Sequence, residues 1–173
     1  MSYEQIWAPW RLPYIVGTDK PPANDSAPGC FLCRYASAPE QDQENFVLHR
    51  GSHSITVLNR FPYNNGHLLV APLSHKANLA DLDDAEHLDC MHSLQKLVAA
   101  LQATISPEGF NIGLNLGRVA GAGLPGHLHW HLVPRWNGDT NFMSVVADLR
   151  VIPQSLAALH ALVKIHLEGA DST

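Results

Sequence analysis

His127-Leu128-His129-Trp130-His131-Leu132-Val133-Pro134-Arg135 alternates three imidazoles with bulky apolar side chains. Successive side chains on a β-strand point to opposite faces, so this pattern predicts a strand that presses Leu128, Trp130 and Leu132 against a core. The same geometry lines up His127, His129 and His131 on the other face. A strand face that is merely solvated draws on any polar residue, and three histidines in register ahead of Pro-Arg fit that description poorly. A neutral imidazole is a nucleophile, general base or metal ligand near neutral pH, and phosphate esters are the commonest anionic substrates of such a row.

The flanking sequence supplies the rest of a sheet. Residues 110–115 read as a strand, joined to the histidine strand by the glycine-rich loop 117–126. Residues 46–49, 53–58 and 67–71 read as three more short strands, separated by Gly51 and by Pro62-Tyr63-Asn64-Asn65-Gly66. Between the two groups, Asp83 caps a long helix whose apolar stripe is expected to be Leu88, Met91, Leu94, Val98, Leu101 and Ile105, ending near Pro107 and Gly109. A second helix begins at Pro153 and runs through Leu156, Leu159, Leu162, Val163 and Leu167 to Gly169. Strands, a long helix, more strands and a C-terminal helix predict an α+β fold with an antiparallel sheet of about five strands.

Composition bounds the function classes. The chain has 173 residues, 46% hydrophobic and 16% charged, which fits one domain over 1–173. Within it, residues 1–29 read as an irregular arm broken by five prolines. A net charge of -5 provides no global field for a polyanion, so a phosphate site must be local and nucleic-acid binding is not expected. No membrane span or secretory signal is read, and the expected location is cytoplasmic. Of three cysteines, Cys30 and Cys33 form a Cys-x-x-Cys pair, which in a reducing compartment favours metal or redox chemistry over a disulfide, with a pair of plain reduced thiols as the alternative. Cys90 reads as an inert apolar residue. His49, His53, His87, His92, His160 and His166 are assigned to surfaces or helix faces.

Several of these stretches together resemble one family. The run from His127 to Val133 is similar to the motif of the histidine triad (HIT) superfamily of nucleotide hydrolases and transferases. Leu58-Asn59-Arg60-Phe61-Pro62, followed by Gly66-His67-Leu68-Leu69-Val70-Ala71-Pro72, resembles its ribose-binding Asn segment and Gly-His strand. Trp7-Ala8-Pro9-Trp10-Arg11, the Cys30/Cys33 pair and Pro134-Arg135-Trp136 resemble the bacterial diadenosine tetraphosphate phosphorylase-like branch. The motifs fall in the right order over roughly residues 5 to 137, which is more specific than any one of them.

The resemblance implies cleavage of a P–O–P bond in an adenine nucleotide, diadenosine polyphosphates foremost, through a nucleotidyl-histidine intermediate. His129 is then the nucleophile, with Nδ1–H expected on a backbone carbonyl and Nε2 left free. His131 stabilises charge or donates a proton, and His67 is a fourth histidine nearby. Asn59 is expected at the ribose, and Phe61 or Tyr63 at the adenine. Gly123, in the loop, offers backbone amides to phosphate, and Arg118 adds charge there. Relatives carry Ser, Thr or Gln in that loop where this chain has Ala122-Gly123-Leu124, leaving Asn115 as the side-chain candidate and the acceptor open between water and phosphate. Zinc-bearing relatives, among them galactose-1-phosphate uridylyltransferases, imply a structural zinc on Cys30, Cys33, His75 and His127, with no organic cofactor. Two chains are expected to pair by extending the sheet and packing the long helices. The competing readings are a hydrolase whose three histidines hold a catalytic zinc, and a nucleotide-binding module without turnover.

Overall fold

Alternation in the sequence becomes five strands: β1 (Val47–Arg50), β2 (Ser54–Leu58), β3 (Leu68–Pro72), β4 (Gly109–Leu114) and β5 (Trp130–Arg135). Every neighbouring pair is antiparallel, in the order β1-β2-β3-β5-β4. Among the described residues three α-helices accompany them: α1 (Phe31–Ala36), α2 (Asp84–Ile105) and α3 (Leu156–Ala170). The α+β class and the strand count match the expectation. The computed structural model describes residues 29–140 and 152–170, so the expected arm and its Trp7-to-Arg11 motif lie almost entirely outside the described residues.

The sheet separates two cores. Leu68, Val70, Leu128, Trp130 and Leu132 face α2 and α3, while Val47, Ile55, Val57, Leu69 and Ala71 pack with Leu32 and Tyr35 of α1. Leu69 pairs with His131 in the β3–β5 ladder, which places the imidazoles on the α1 side. Each fully buried Leu or Val contributes roughly 1.5–3 kcal/mol by leaving water.

α2 starts where sequence chemistry dictates. Asp83 accepts from Glu86 N–H at 2.9 Å, and Glu86 reaches back to Asp83 N–H at 2.9 Å, a reciprocal capping box. The helix stops at Ser106, in the left-handed region with φ 47°, just before Pro107. Its buried face holds Cys90, Leu94, Leu97 and Leu101 with Val98 and Ile105 packed against the same core, so the expected stripe fails only at its start, where Leu88 is 57% and Met91 42% exposed. α3 likewise starts later than Pro153. The Ser155 hydroxyl accepts from Ala158 N–H at 3.2 Å and opens the helix, and Leu159, Val163 and Leu167 form its buried stripe while Leu162 is exposed.

The histidine strand is also shorter than expected. β5 begins at Trp130, and His127 and His129 lie in the segment before it. The β3–β5 ladder ends at Val70 opposite Trp130; continued, it would bring Ala71 opposite His129 and Pro72, which has no N–H to give, opposite Leu128. The chain instead bonds the following loop, Leu128 N–H donating to the Lys76 carbonyl at 2.7 Å. His160 corrects a further expectation: it is buried under Phe46, and its ring donates to the Val47 carbonyl at 2.9 Å, tying α3 to β1.

Candidate active site and metal centre

His129 is held by its own neighbour. Its Nδ1 lies 2.8 Å from the His127 carbonyl oxygen, which can only accept, so Nδ1 carries the proton and Nε2 keeps its lone pair. Burial lowers the His129 pKa against the opposing pull of that carbonyl, so the ring is neutral at pH 7.

His131 has the opposite tautomer, set from the turn before β3. The Tyr63 backbone N–H donates to His67 Nδ1 at 3.0 Å, and the Asn59 amide donates to the same nitrogen at 3.2 Å. A main-chain N–H cannot accept, so His67 is protonated on Nε2, which donates to His131 Nδ1 at 2.9 Å. His131 therefore presents Nε2–H. The rings of His129 and His131 lie 5.0 Å apart, a bare nitrogen beside an N–H donor. Burial, then the neighbouring His129, pushes the His131 pKa down to about 4. Gly66 makes this turn possible: it has φ +77°, and a Cβ there would meet Ile105 at 2.9 Å and Pro134 at 3.0 Å.

The remaining expected substrate contacts divide. The Asn115 side-chain amide sits 3.4 Å from His131 Nε2. Asn59 is engaged twice, its amide on His67 and its carbonyl accepting Phe61 N–H at 2.9 Å, and Phe61 itself projects into solvent. Arg118 and Gly123 lie exposed in the loop after Asn115, and the described residues show no hydrogen bond from either to the histidines. Tyr63, expected near adenine, stacks on His131 at 5.7 Å and 14° and tilts over His67 at 4.5 Å. Its backbone role escapes a reading of the sequence because a main-chain donor leaves no mark in residue type; the only signal is its place four residues before His67.

His127 faces elsewhere. Its Nε2–H donates to the Pro72 carbonyl at 2.9 Å, which aims the Nδ1 lone pair at Cys30 Sγ, 3.2 Å away, and Cys33 Sγ, 3.4 Å away. His75 Nδ1 lies 3.3 Å from Cys33 Sγ. One ligand atom from each of these four residues falls within 4.8 Å of all the others. Tetrahedral zinc with thiolate and imidazole ligands has ligand-to-ligand edges of about 3.3–3.8 Å, so the set fits such an ion, and the Pro72 carbonyl is the outer partner that a metal-bound imidazole wants. Without an ion, burial and the Cys30 thiol push Cys33 up to about 11; a divalent cation reverses that by favouring the thiolate. Burial, foremost, pushes His127 down to about 4, which keeps its ring neutral. The three triad imidazoles do not converge on one point: among the described residues this cluster is the possible metal site, and it takes His127 alone of the three. Cys90, in the helix-side core, is pushed up to about 12 by burial, then by Asp89 and Glu86.

Comparison with known proteins adds a lineage to this geometry. The model of the HIT domain matches residues 40–138. An AP-4-A phosphorylase of Mycobacterium tuberculosis is 38% identical over 88% of this chain and 78% of its own. The asymmetrical bis(5'-nucleosyl)-tetraphosphatase of Schizosaccharomyces pombe is 31% identical over 66% of this chain and 63% of its own. A zinc-bound histidine triad family protein from Mycobacterium smegmatis superposes with a TM-score of 0.68 at 25% identity, covering 85% of this chain and 99% of that one. No described helix is long and apolar enough to cross a membrane.

Proposed function

This chain belongs to the HIT domain family, and from that premise we propose that it is an enzyme cleaving a P–O–P bond of adenine nucleotides, diadenosine polyphosphates foremost. The observation that carries the reading is the His127 carbonyl on His129 Nδ1 at 2.8 Å. Attack by Nε2 on the α-phosphorus forms an N–P bond, breaks the bridging P–O bond and leaves a positive charge on the imidazole. The carbonyl then accepts from a stronger donor, so the bond that orients the ground state tightens as charge develops.

The displaced nucleotide departs as a polyphosphate anion and needs no proton to leave. His131 Nε2–H supplies a hydrogen bond to a phosphoryl or bridging oxygen as its negative charge grows. An acceptor then attacks the same phosphorus, forms a new P–O bond and returns the His129 lone pair. The AP-4-A phosphorylase relative favours phosphate as acceptor over water. Asn115, Arg118 and the Gly123 amide are assigned to phosphate, Asn59 and Phe61 to the nucleoside.

Cys30, Cys33, His75 and His127 would hold a structural zinc. Four protein ligands leave no open position for water, so the metal would brace the segment before β5 and take no part in bond breaking. Among the described residues β4 ends the sheet and Ile112 on it is half exposed, which suits pairing with a second copy into a homodimer. The whole chain acts as one domain in the cytoplasm.

Product analysis with diadenosine tetraphosphate tests the reading. ADP plus ATP, dependent on added phosphate, marks phosphorolysis; AMP plus ATP marks hydrolysis. Intact-mass analysis during turnover should show a nucleotidyl adduct on the wild type that His129→Ala lacks. The absence of both products and adduct would refute the proposal.

A further inference from the structure

The loop between β3 and α2 carries His75, and Glu86 grips it on both sides of that residue. The Ser74 hydroxyl donates to Glu86 Oε1, and the Lys76 ammonium donates to Oε2 at 2.7 Å. Oε2 also accepts Asp83 N–H, inside the capping box that opens α2. The glutamate is 6% exposed, so water competes little for its oxygens. On its other side the same loop holds the histidine segment: the Lys76 carbonyl accepts Leu128 N–H at 2.7 Å, and the Pro72 carbonyl accepts His127 Nε2–H at 2.9 Å. Two of the four clustered ligands are thus registered by one loop, and the Glu86 carboxylate moors the part of that loop on either side of His75 to α2.

We propose that Glu86 is a positioning residue for the Cys30, Cys33, His75 and His127 centre, setting His75 directly through Ser74 and Lys76 and the His127 segment through Lys76 and Leu128. The inference rests on reading those four residues as a metal centre. Glu86 offers the ion no atom. Its effect is preorganisation: ligands already in place need not be ordered when the ion binds, and that saved ordering appears as affinity.

Zinc competition against a chelator, with the full chain, separates this role from ordinary helix stability. Four proteins are compared: wild type, Glu86→Gln, the loop-side pair Ser74→Ala with Lys76→Met, and Asp83→Ala. The last removes the other half of the capping box and leaves the loop's moorings in place. Glu86→Gln and the loop-side pair should bind zinc about 10- to 100-fold more weakly, with faster thiol labelling of Cys33, while Asp83→Ala binds as the wild type does. Equal affinity in all four overturns the proposal, and so does an equal loss in Asp83→Ala. The loop-side pair leaves α2 unchanged and carries the test if Glu86→Gln does not fold. A wild type that takes up no zinc refutes the metal reading itself, a result read before any variant is compared.

Discussion

On the helix-covered face of the sheet, Leu68, Val70, Leu128, Trp130 and Leu132 join one apolar core; on the other face, His67, His129 and His131 are fixed by hydrogen bonds to backbone, amide and ring atoms. The two sets alternate along the same strands. The core face works by volume and area, quantities that several residue types supply. The histidine face works by direction, since a carbonyl at one nitrogen and an amide N–H at another decide which ring atoms are bare. Damage to one face should therefore appear as lost stability, and damage to the other as lost chemistry.

The widest separation comes from His129→Ala. Removing the proposed nucleophile should lower kcat by about 10⁴-fold or more, with little change in the melting curve. Steady-state turnover and calorimetry on one preparation check this, and comparable turnover in the variant breaks the assignment.

Leu132→Ala should do the reverse. Leu132 follows Trp130 on the core-facing side of β5 and is fully buried. Truncating it should cost about 2–5 kcal/mol of unfolding free energy while the folded fraction keeps its kcat, as denaturant titration and turnover together would show. A large fall in kcat at unchanged stability would erase the distinction between the faces.

Acid sharpens the comparison without mutation. Burial holds His129 below its ordinary range, and burial plus the neighbouring His129 hold His131 at about 4. Both shifts are downward, so kcat/KM should hold at pH 7 and fall only below the ordinary histidine range. It should decline by about tenfold per pH unit only further down, once His129 takes a proton on the nitrogen that attacks. The same shift acts on stability. An unfolded histidine titrates near 6.5, above the folded value of His131, so its contribution is complete above that pH and is lost as pH falls toward about 4. Activity and melting temperature measured across this range test both statements, and an activity midpoint at or above 6.5 contradicts the first.

The smallest effect is expected from Tyr63→Ala. The variant keeps the backbone N–H that sets the His67 tautomer and loses only the ring stacked on His131 and tilted over His67. Stacking of this kind is worth roughly 0.5–1.5 kcal/mol, so kcat/KM should fall only about 2- to 10-fold. A loss as deep as that of His129→Ala would move the ring from support to the centre of the chemistry.

Much of this architecture is legible in the sequence because its signals are local. Asp83 and Glu86 at cap spacing mark the start of α2, and alternation marks the strands within a residue or two. Leu88 and Met91 mislead because a helix carries more apolar residues than one sheet can cover, and hydropathy alone does not say which stripe is covered. His160 reads as one more surface or helix-face histidine for the converse reason: its burial depends on the Val47 carbonyl, which lies 113 residues away in sequence. The start of β5 at Trp130 reflects where its pairing with β3 stops and Leu128 N–H turns to the Lys76 carbonyl, contacts that alternation along one segment does not carry.

Residue types and their spacing by themselves determined the antiparallel sheet and the buried partners of the triad, since period and side-chain chemistry are written into consecutive residues. Only the tertiary structure decided what each imidazole does. His127 turns to two cysteines far away in sequence, His129 is protonated on Nδ1 and His131 on Nε2, because those outcomes depend on which backbone carbonyl or N–H the fold carries to each ring.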